Sequence, residues 1–214
     1  MPGMNPEPHG HHHGDASEWD ERYDERDQMW SGRPNEALVA EMADAEPGRI
    51  LDVGCGEGAD AVWLAQRGWT VTALDVSEVA LDRARQGAGS VGVDVEWIHA
   101  GVVEAGLQPA SFDLVSVFYP ALRKRPGGET ERTLFELVAP GGTLLVVYHA
   151  EMDAERARAH GFDPADYVLA DDMLAATPEG WEVVLDEQRE RHVTSGRGAD
   201  HKLDRIIRLR RRPR

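Results

Sequence analysis

Between Arg49 and Tyr148 the chain alternates two kinds of hydrophobic pattern. Short, almost continuous apolar runs occur at residues 49–53, 70–74, 93–98, 112–118 and 143–148. Runs of that length bounded by turn residues predict strands buried on both faces. The stretches between them space their apolar residues three or four apart, as an amphipathic helix requires. They predict helices over Ala59 to Gln66, from a Ser77 cap to about Arg85, and over Thr130 to Val138, the last one stopped by Ala139-Pro140-Gly141-Gly142.

The flanks follow other patterns. From Ser17 the spacing turns helical, with Ser17 as N-cap and Asp20 three residues on. Trp19, Tyr23, Met29 and Trp30 form an aromatic-rich stripe that Ser31-Gly32-Arg33-Pro34 breaks, and a second helix is expected over Asn35 to Asp44. Near the C-terminus, Pro164 to Ala175 reads as helix. Trp181 to Glu190 and Lys202 to Leu209 read as two strands joined by a loop, Thr194 to Asp200. The expected fold is α/β: a Rossmann-like, doubly wound, mostly parallel seven-stranded sheet whose edge is closed by an antiparallel C-terminal hairpin. One domain is expected over residues 17–214, its first part, 17–46, forming a helical lid. Residues 1–16 are rich in Pro, Gly and His and read as a disordered tail, in which His9, His11, His12 and His13 lack partner ligands at structural-site spacing. No metal site is expected.

Composition narrows the partners. The formal net charge of −16 disfavours nucleic acid, whose phosphates the summed field repels. Lys202, Arg205, Arg208, Arg210, Arg211, Arg212 and Arg214 crowd the C-terminus and read as a strand end with a solvated tail. No apolar run approaches the roughly 20 residues that span a bilayer. The N-terminus shows no charged segment followed by an apolar one, so no secretory leader is expected. A single cysteine, Cys55, precludes an internal disulfide and suits a reducing cytoplasm. A monomer or homodimer is expected.

The chemistry concentrates in Leu51-Asp52-Val53-Gly54-Cys55-Gly56-Glu57-Gly58, where a strand feeds a helix. Glycine there allows a sharp turn and close approach of backbone to ligand. The next strand ends in Asp75, 23 residues after Asp52, placed to accept hydrogen bonds from ribose hydroxyls. These features predict a nucleoside-containing ligand. Gly54 to Ala59 also satisfies the dinucleotide fingerprint, so an NAD(P)-dependent oxidoreductase competes on that pattern alone, although no Tyr-x-x-x-Lys pair occurs.

Residues Ile50 to Gly58 resemble the first motif of class I S-adenosylmethionine-dependent methyltransferases. Ala73 to Ser77, Phe112 to Ser116 and Pro140 to Leu144 resemble that family's later motifs in order, and the likeness runs over about Trp19 to Arg211. Trp19 and the segment Trp30 to Pro34 resemble more narrowly the small-molecule enzymes related to tellurite-resistance and thiopurine methyltransferases. The resemblance implies S-adenosylmethionine as cofactor and a small-molecule acceptor. It implies that Gly54, Gly56 and Gly58 line the turn under the methionine and ribose. It places Asp75 on the ribose, Val76 on the adenine, Asp52 near the amino group, Phe118 by the methionine portion and Trp30 as cover. The family's adenine-side carboxylate is missing from Ala100-Gly101-Val102-Val103, so backbone groups at Gly101 and Val102 would replace it, or Glu104 reaches in. A sensor that binds the cofactor without turnover is the remaining alternative.

Methyl transfer requires alignment and exclusion of water; a general base is needed only where the acceptor is protonated at working pH. Tyr119 and His149, after the fourth and fifth strands, are the candidate catalytic residues, each equally suited to shaping the acceptor site. Tyr148 also belongs to the acid–base set. His192 and His201 read as surface histidines, Arg123, Lys124 and Arg125 as a solvated loop, and Cys55 as a small residue packed beneath the cofactor.

Overall fold

The computed structural model describes residues 16–151, 154–159, 162–193, 195–196 and 199–213. The histidine-rich tail therefore lies outside the described residues, as do parts of the Thr194 to Asp200 loop. The elements are α1 (Ala16–Asp24), α2 (Glu36–Glu41), β1 (Arg49–Val53), α3 (Ala59–Ala65), β2 (Thr70–Asp75), α4 (Glu78–Val91), β3 (Glu96–His99), β4 (Phe112–Phe118), α5 (Glu129–Leu137), β5 (Val138–His149), α6 (Ala154–Ala159), α7 (Ala170–Ala175), β6 (Trp181–Glu190) and β7 (Leu203–Arg211).

Seven strands form one sheet in the order β3-β2-β1-β4-β5-β7-β6. The first five run parallel, and β7 and β6 are antiparallel to their neighbours. This is the architecture expected from the alternation of patterns. The apolar runs of β1, β2, β4 and β5 are continuous because those strands bury both faces, whereas edge strand β3 is only half-buried. Along β5, Leu144 and Val146 enter one core with Leu51, Val115, Leu134 and Ile207, while Leu145 and Val147 enter the other with Ile50, Leu64, Val71 and Ile206. No helix among the described residues is long and apolar enough to cross a membrane.

Several local expectations change. Helix α1 begins at Ala16, and Asp20 does not box it; its carboxylate accepts from the Ser77 hydroxyl (2.6 Å) and from Val79 N, tying α1 to the start of α4. Helix α4 continues past Arg85 to Val91 despite Gly87 and Gly89, because Ala84 and Ala88 pack into the core and outweigh glycine's weak helix propensity. Pro164 to Ala175 is not one helix: a 3₁₀ turn at Pro164–Asp166 is followed by extended Tyr167, which bridges to Arg123, and then by α7.

The basic C-terminal strand is partly neutralised. Arg205 pairs with Asp186 and Asp171, Arg208 and Arg189 share the buried Glu41 of α2, and Arg211 donates to Val138 O. Surface arginines are thus spent on holding the hairpin to the acidic body.

Gly58, at φ +79°, caps α3, and a Cβ there would lie 2.8 Å from both Ala84 Cβ and Trp97. Gly58→Ala is therefore expected to lower stability by about 2–4 kcal/mol, from overpacking plus a strained backbone. Thermal melting of the purified variant reads this directly; an unchanged midpoint contradicts the packing account.

Candidate active site

A cleft opens above the carboxyl ends of β1 and β4, where the strand order reverses, the place where open α/β sheets bind ligands. Its floor is the glycine turn. Gly54 N and Cys55 N both donate to Leu74 O, which bends the chain away from β1 immediately after Val53. The three glycines divide the work. At Gly54 (φ +71°) a Cβ would meet nothing within 4 Å, so this residue faces open space. At Gly56 a Cβ would lie 2.9 Å from Tyr23 Oη and 3.1 Å from Trp30 Nε1, so its bareness admits the N-terminal segment. Gly58 admits α4 and β3, as described above.

Three carboxylates surround the turn. Asp75 Oδ2 accepts from Gly56 N (2.8 Å) and Oδ1 from Ser77 N (2.9 Å), so the side chain that ends β2 also shapes the loop. Burial raises its pKa, against those backbone donors. Asp60 accepts from Asn35 N (2.7 Å) and Asn35 Nδ2 (2.6 Å), and burial pushes it up to about 6. Asp52 Oδ1 accepts from the Ser116 hydroxyl (3.0 Å), while Oδ2 is buried without a hydrogen-bond partner. Its pKa stands well above the ordinary range, first from burial and then from repulsion by Asp60. An orphaned buried carboxylate oxygen in an acidic cleft suits a cationic ligand.

The N-terminal segment closes one side. Glu57, inside the glycine turn, accepts from Met29 N and Trp30 N (3.0 Å each) and pairs with Arg83 (3.0 Å). Trp30 Nε1 donates to Tyr23 Oη (2.9 Å). Tyr23 and Trp19, read from sequence as packing residues, also line the cleft. Val76, Gly101, Val102 and Phe118 line it too, with Val102 buried. Glu104 turns back against Gly101 and pairs with Arg125, away from the cleft wall. The Cys55 thiol is raised well above its ordinary pKa, chiefly by burial, so it is no thiolate nucleophile.

The far end of the cleft holds Tyr119 and His149. Tyr119 adopts φ +47°, a left-handed conformation that costs a non-glycine residue about 1–3 kcal/mol. Its hydroxyl donates to Asp204 Oδ2 (2.7 Å), and burial followed by the Asp204 charge drives its pKa upward, so the phenol stays protonated. His149 stacks on Tyr119 (centroids 4.3 Å apart) and on His201 (3.9 Å). His201 is therefore packed, not a plain surface residue; its partner lies across the β5–β7 pairing, invisible to local pattern. His192 is exposed, as expected. Tyr148 is buried in the core and does not line the cleft. Arg191 and Asp204, both buried and 3.7 Å apart, and Glu57, Asp60 and Asn35 were missed. The Glu57 signal was in the motif itself; the others come from segments whose positions only the assembled sheet sets.

A Rossmann-like sheet with an acidic, glycine-floored cleft at its switch point defines an α/β protein of the nucleoside-binding type. Residues 50–142 match the family model described as a methyltransferase domain. An uncharacterized methyltransferase of Mycobacterium tuberculosis is 38% identical over 123 residues, 56% of this chain and 61% of its own length. A ubiquinone biosynthesis O-methyltransferase of Saccharophagus degradans is 32% identical over 50% of this chain and 46% of its own length. The chain thus spans about a third to two thirds of the length of the curated relatives it matches. A structure solved in work on the conversion of a disulfide bond into a thioacetal group during echinomycin biosynthesis superposes with TM-score 0.72 at 24% identity, covering 92% of this chain and 91% of the other. The chain is thus similar to methyltransferases, with the family match confined to residues 50–142.

Proposed function

We propose that this chain transfers a methyl group from S-adenosylmethionine to a small-molecule acceptor, in the cytoplasm that its single cysteine suits. The observation that carries the reading is the buried, unpartnered Asp52 Oδ2 beside a glycine turn whose Gly54 opens onto free space. The cofactor's ammonium would satisfy that oxygen, and the acidic surround of Asp52, Asp60 and Asp75 would favour its cationic portion. Each Asp75 oxygen already accepts one backbone N–H and keeps a lone pair for a ribose hydroxyl. Val76, Gly101 and Val102 would flank the adenine, Phe118 the methionine chain, and residues 17–46 would act as the lid, with Trp30 as cover.

The sulfonium supplies an activated methyl group whose bonding pair stays with sulfur on transfer. The chain's own residues hold the acceptor in line and exclude water, an alignment effect worth up to roughly 7–11 kcal/mol. Acceptors are proposed to be small because the lid and a facing group of residues both reach the cleft, Arg191, Val193 and Ser195 lining it with Trp30.

Calorimetric titration tests the cofactor. S-adenosylhomocysteine is expected to bind in the micromolar range or tighter, about −8 kcal/mol, and NAD not to bind. NAD binding without S-adenosylhomocysteine binding overturns the proposal.

A further inference from the structure

Two buried polar atoms in the acceptor half of the cleft have no hydrogen-bond partner: His149 Nδ1 and Asp204 Oδ1. They face one another at 3.5 Å. His149 and Asp204 are directly opposite partners in the antiparallel β5–β7 ladder, so the pairing is built into the sheet register. Other described residues surround the pair. Asp204 Oδ2 takes the Tyr119 hydroxyl, Arg191 supplies a countercharge at 3.7 Å and donates to Tyr119 Oη (3.2 Å), and His201 stacks on the imidazole face. Nδ1 is turned to Asp204 while His149 itself lines the cleft, which leaves Nε2 as the nitrogen available to a ligand.

We infer that His149 is the general base of the methyl transfer, its Nδ1–H tautomer favoured by the charge of Asp204, a positioning residue 3.5 Å away, and that the acceptor is a phenolic hydroxyl. The inference rests on the methyltransferase reading above. The proton leaves the acceptor oxygen for His149 Nε2 as that oxygen bonds to the methyl carbon. The carbon–sulfur bond breaks, its electron pair stays on sulfur, and the products are an aryl methyl ether, neutral S-adenosylhomocysteine and an imidazolium that returns its proton to solvent. Tyr119 cannot take the role, since its proton is committed to Asp204. A phenol suits the site on two grounds. Phe118, Tyr119, Pro120 and Leu122 offer a flat, mostly apolar wall. A phenol is also protonated at neutral pH, near pKa 10 for tyrosine, yet acidic enough for imidazole to assist, unlike an aliphatic alcohol.

The test follows S-adenosylhomocysteine release by the full chain at about pH 8.5, with phenol, still protonated there, and with 4-nitrophenol, largely ionised there, alongside calorimetry with S-adenosylhomocysteine. The unsubstituted chain is expected to methylate both. His149→Gln should lose about 10²–10³-fold in kcat on phenol, with less than about a threefold loss on 4-nitrophenol and unchanged S-adenosylhomocysteine affinity. Asp204→Asn should show the same selectivity at a loss of about tenfold or more, where a merely structural role would slow both acceptors alike. Equal losses on the two phenols, no loss on either, or no methylation of either while S-adenosylhomocysteine still binds would each overturn the inference and leave the cofactor reading standing. Failure of S-adenosylhomocysteine to bind the unsubstituted chain removes the methyltransferase reading itself.

Discussion

Asp75→Ala is expected to weaken S-adenosylhomocysteine binding by about a hundredfold or more and to lower the melting temperature at the same time. The first effect follows from losing two hydroxyl–carboxylate hydrogen bonds to the ribose, each worth about 1.5–3 kcal/mol when the acceptor is charged. The second follows from what Asp75 does without ligand. Its two oxygens accept from Gly56 N and Ser77 N, both buried interactions. Removing them orphans two backbone donors, at about 1–3 kcal/mol each unless water refills the space. The two losses separate experimentally: calorimetry below the melting transition reads affinity, and thermal denaturation without ligand reads the loop. Full affinity in a folded Asp75→Ala protein would show that the ribose is held elsewhere.

Asp52→Asn is expected to move stability and affinity in opposite directions. Burial and the neighbouring Asp60 hold the Asp52 pKa well above its unfolded value, so the folded chain retains a proton that the unfolded chain gives up. Such a group contributes stability below the ordinary aspartate range and loses it as pH rises through the folded value. Asp60 behaves alike, its contribution fading by about pH 6. Near neutrality, where the unfolded chain's Asp52 is ionised, burying its unpartnered Oδ2 is therefore a cost. Asparagine removes the charge and keeps an oxygen for the Ser116 hydroxyl, so the ligand-free protein should gain about 1 kcal/mol at neutral pH and little in acid. The cofactor's ammonium would lose its charged partner, and affinity should fall about 10–100-fold. A variant that binds as tightly as the parent, or that melts lower at neutral pH, contradicts the assignment of Asp52. The parent's own affinity should also rise with pH, since binding displaces a proton from Asp52.

The glycine turn and its two carboxylates were legible along the chain because strand, turn and strand lie within 24 residues, Asp52 to Asp75. Backbone geometry there depends on residues that are neighbours in sequence. The N-terminal segment was legible only as a stripe of aromatic residues. That Glu57 grips Met29 and Trp30 required knowing which face of the turn the N-terminal segment crosses.

Residue order alone determined the α/β class, the parallel sheet with its antiparallel hairpin, and the nucleoside-binding turn, because alternating periodicities and glycine placement act locally. The end of the cleft lined by Tyr119 and His149 was decided by tertiary structure. Tyr119, His149, Arg191, His201 and Asp204 come from four separated stretches of chain, and the inter-strand register that sets His149 opposite Asp204 has no signature in either strand's own sequence. Long-range pairing brings these charges together, and burial then changes what each of them can do.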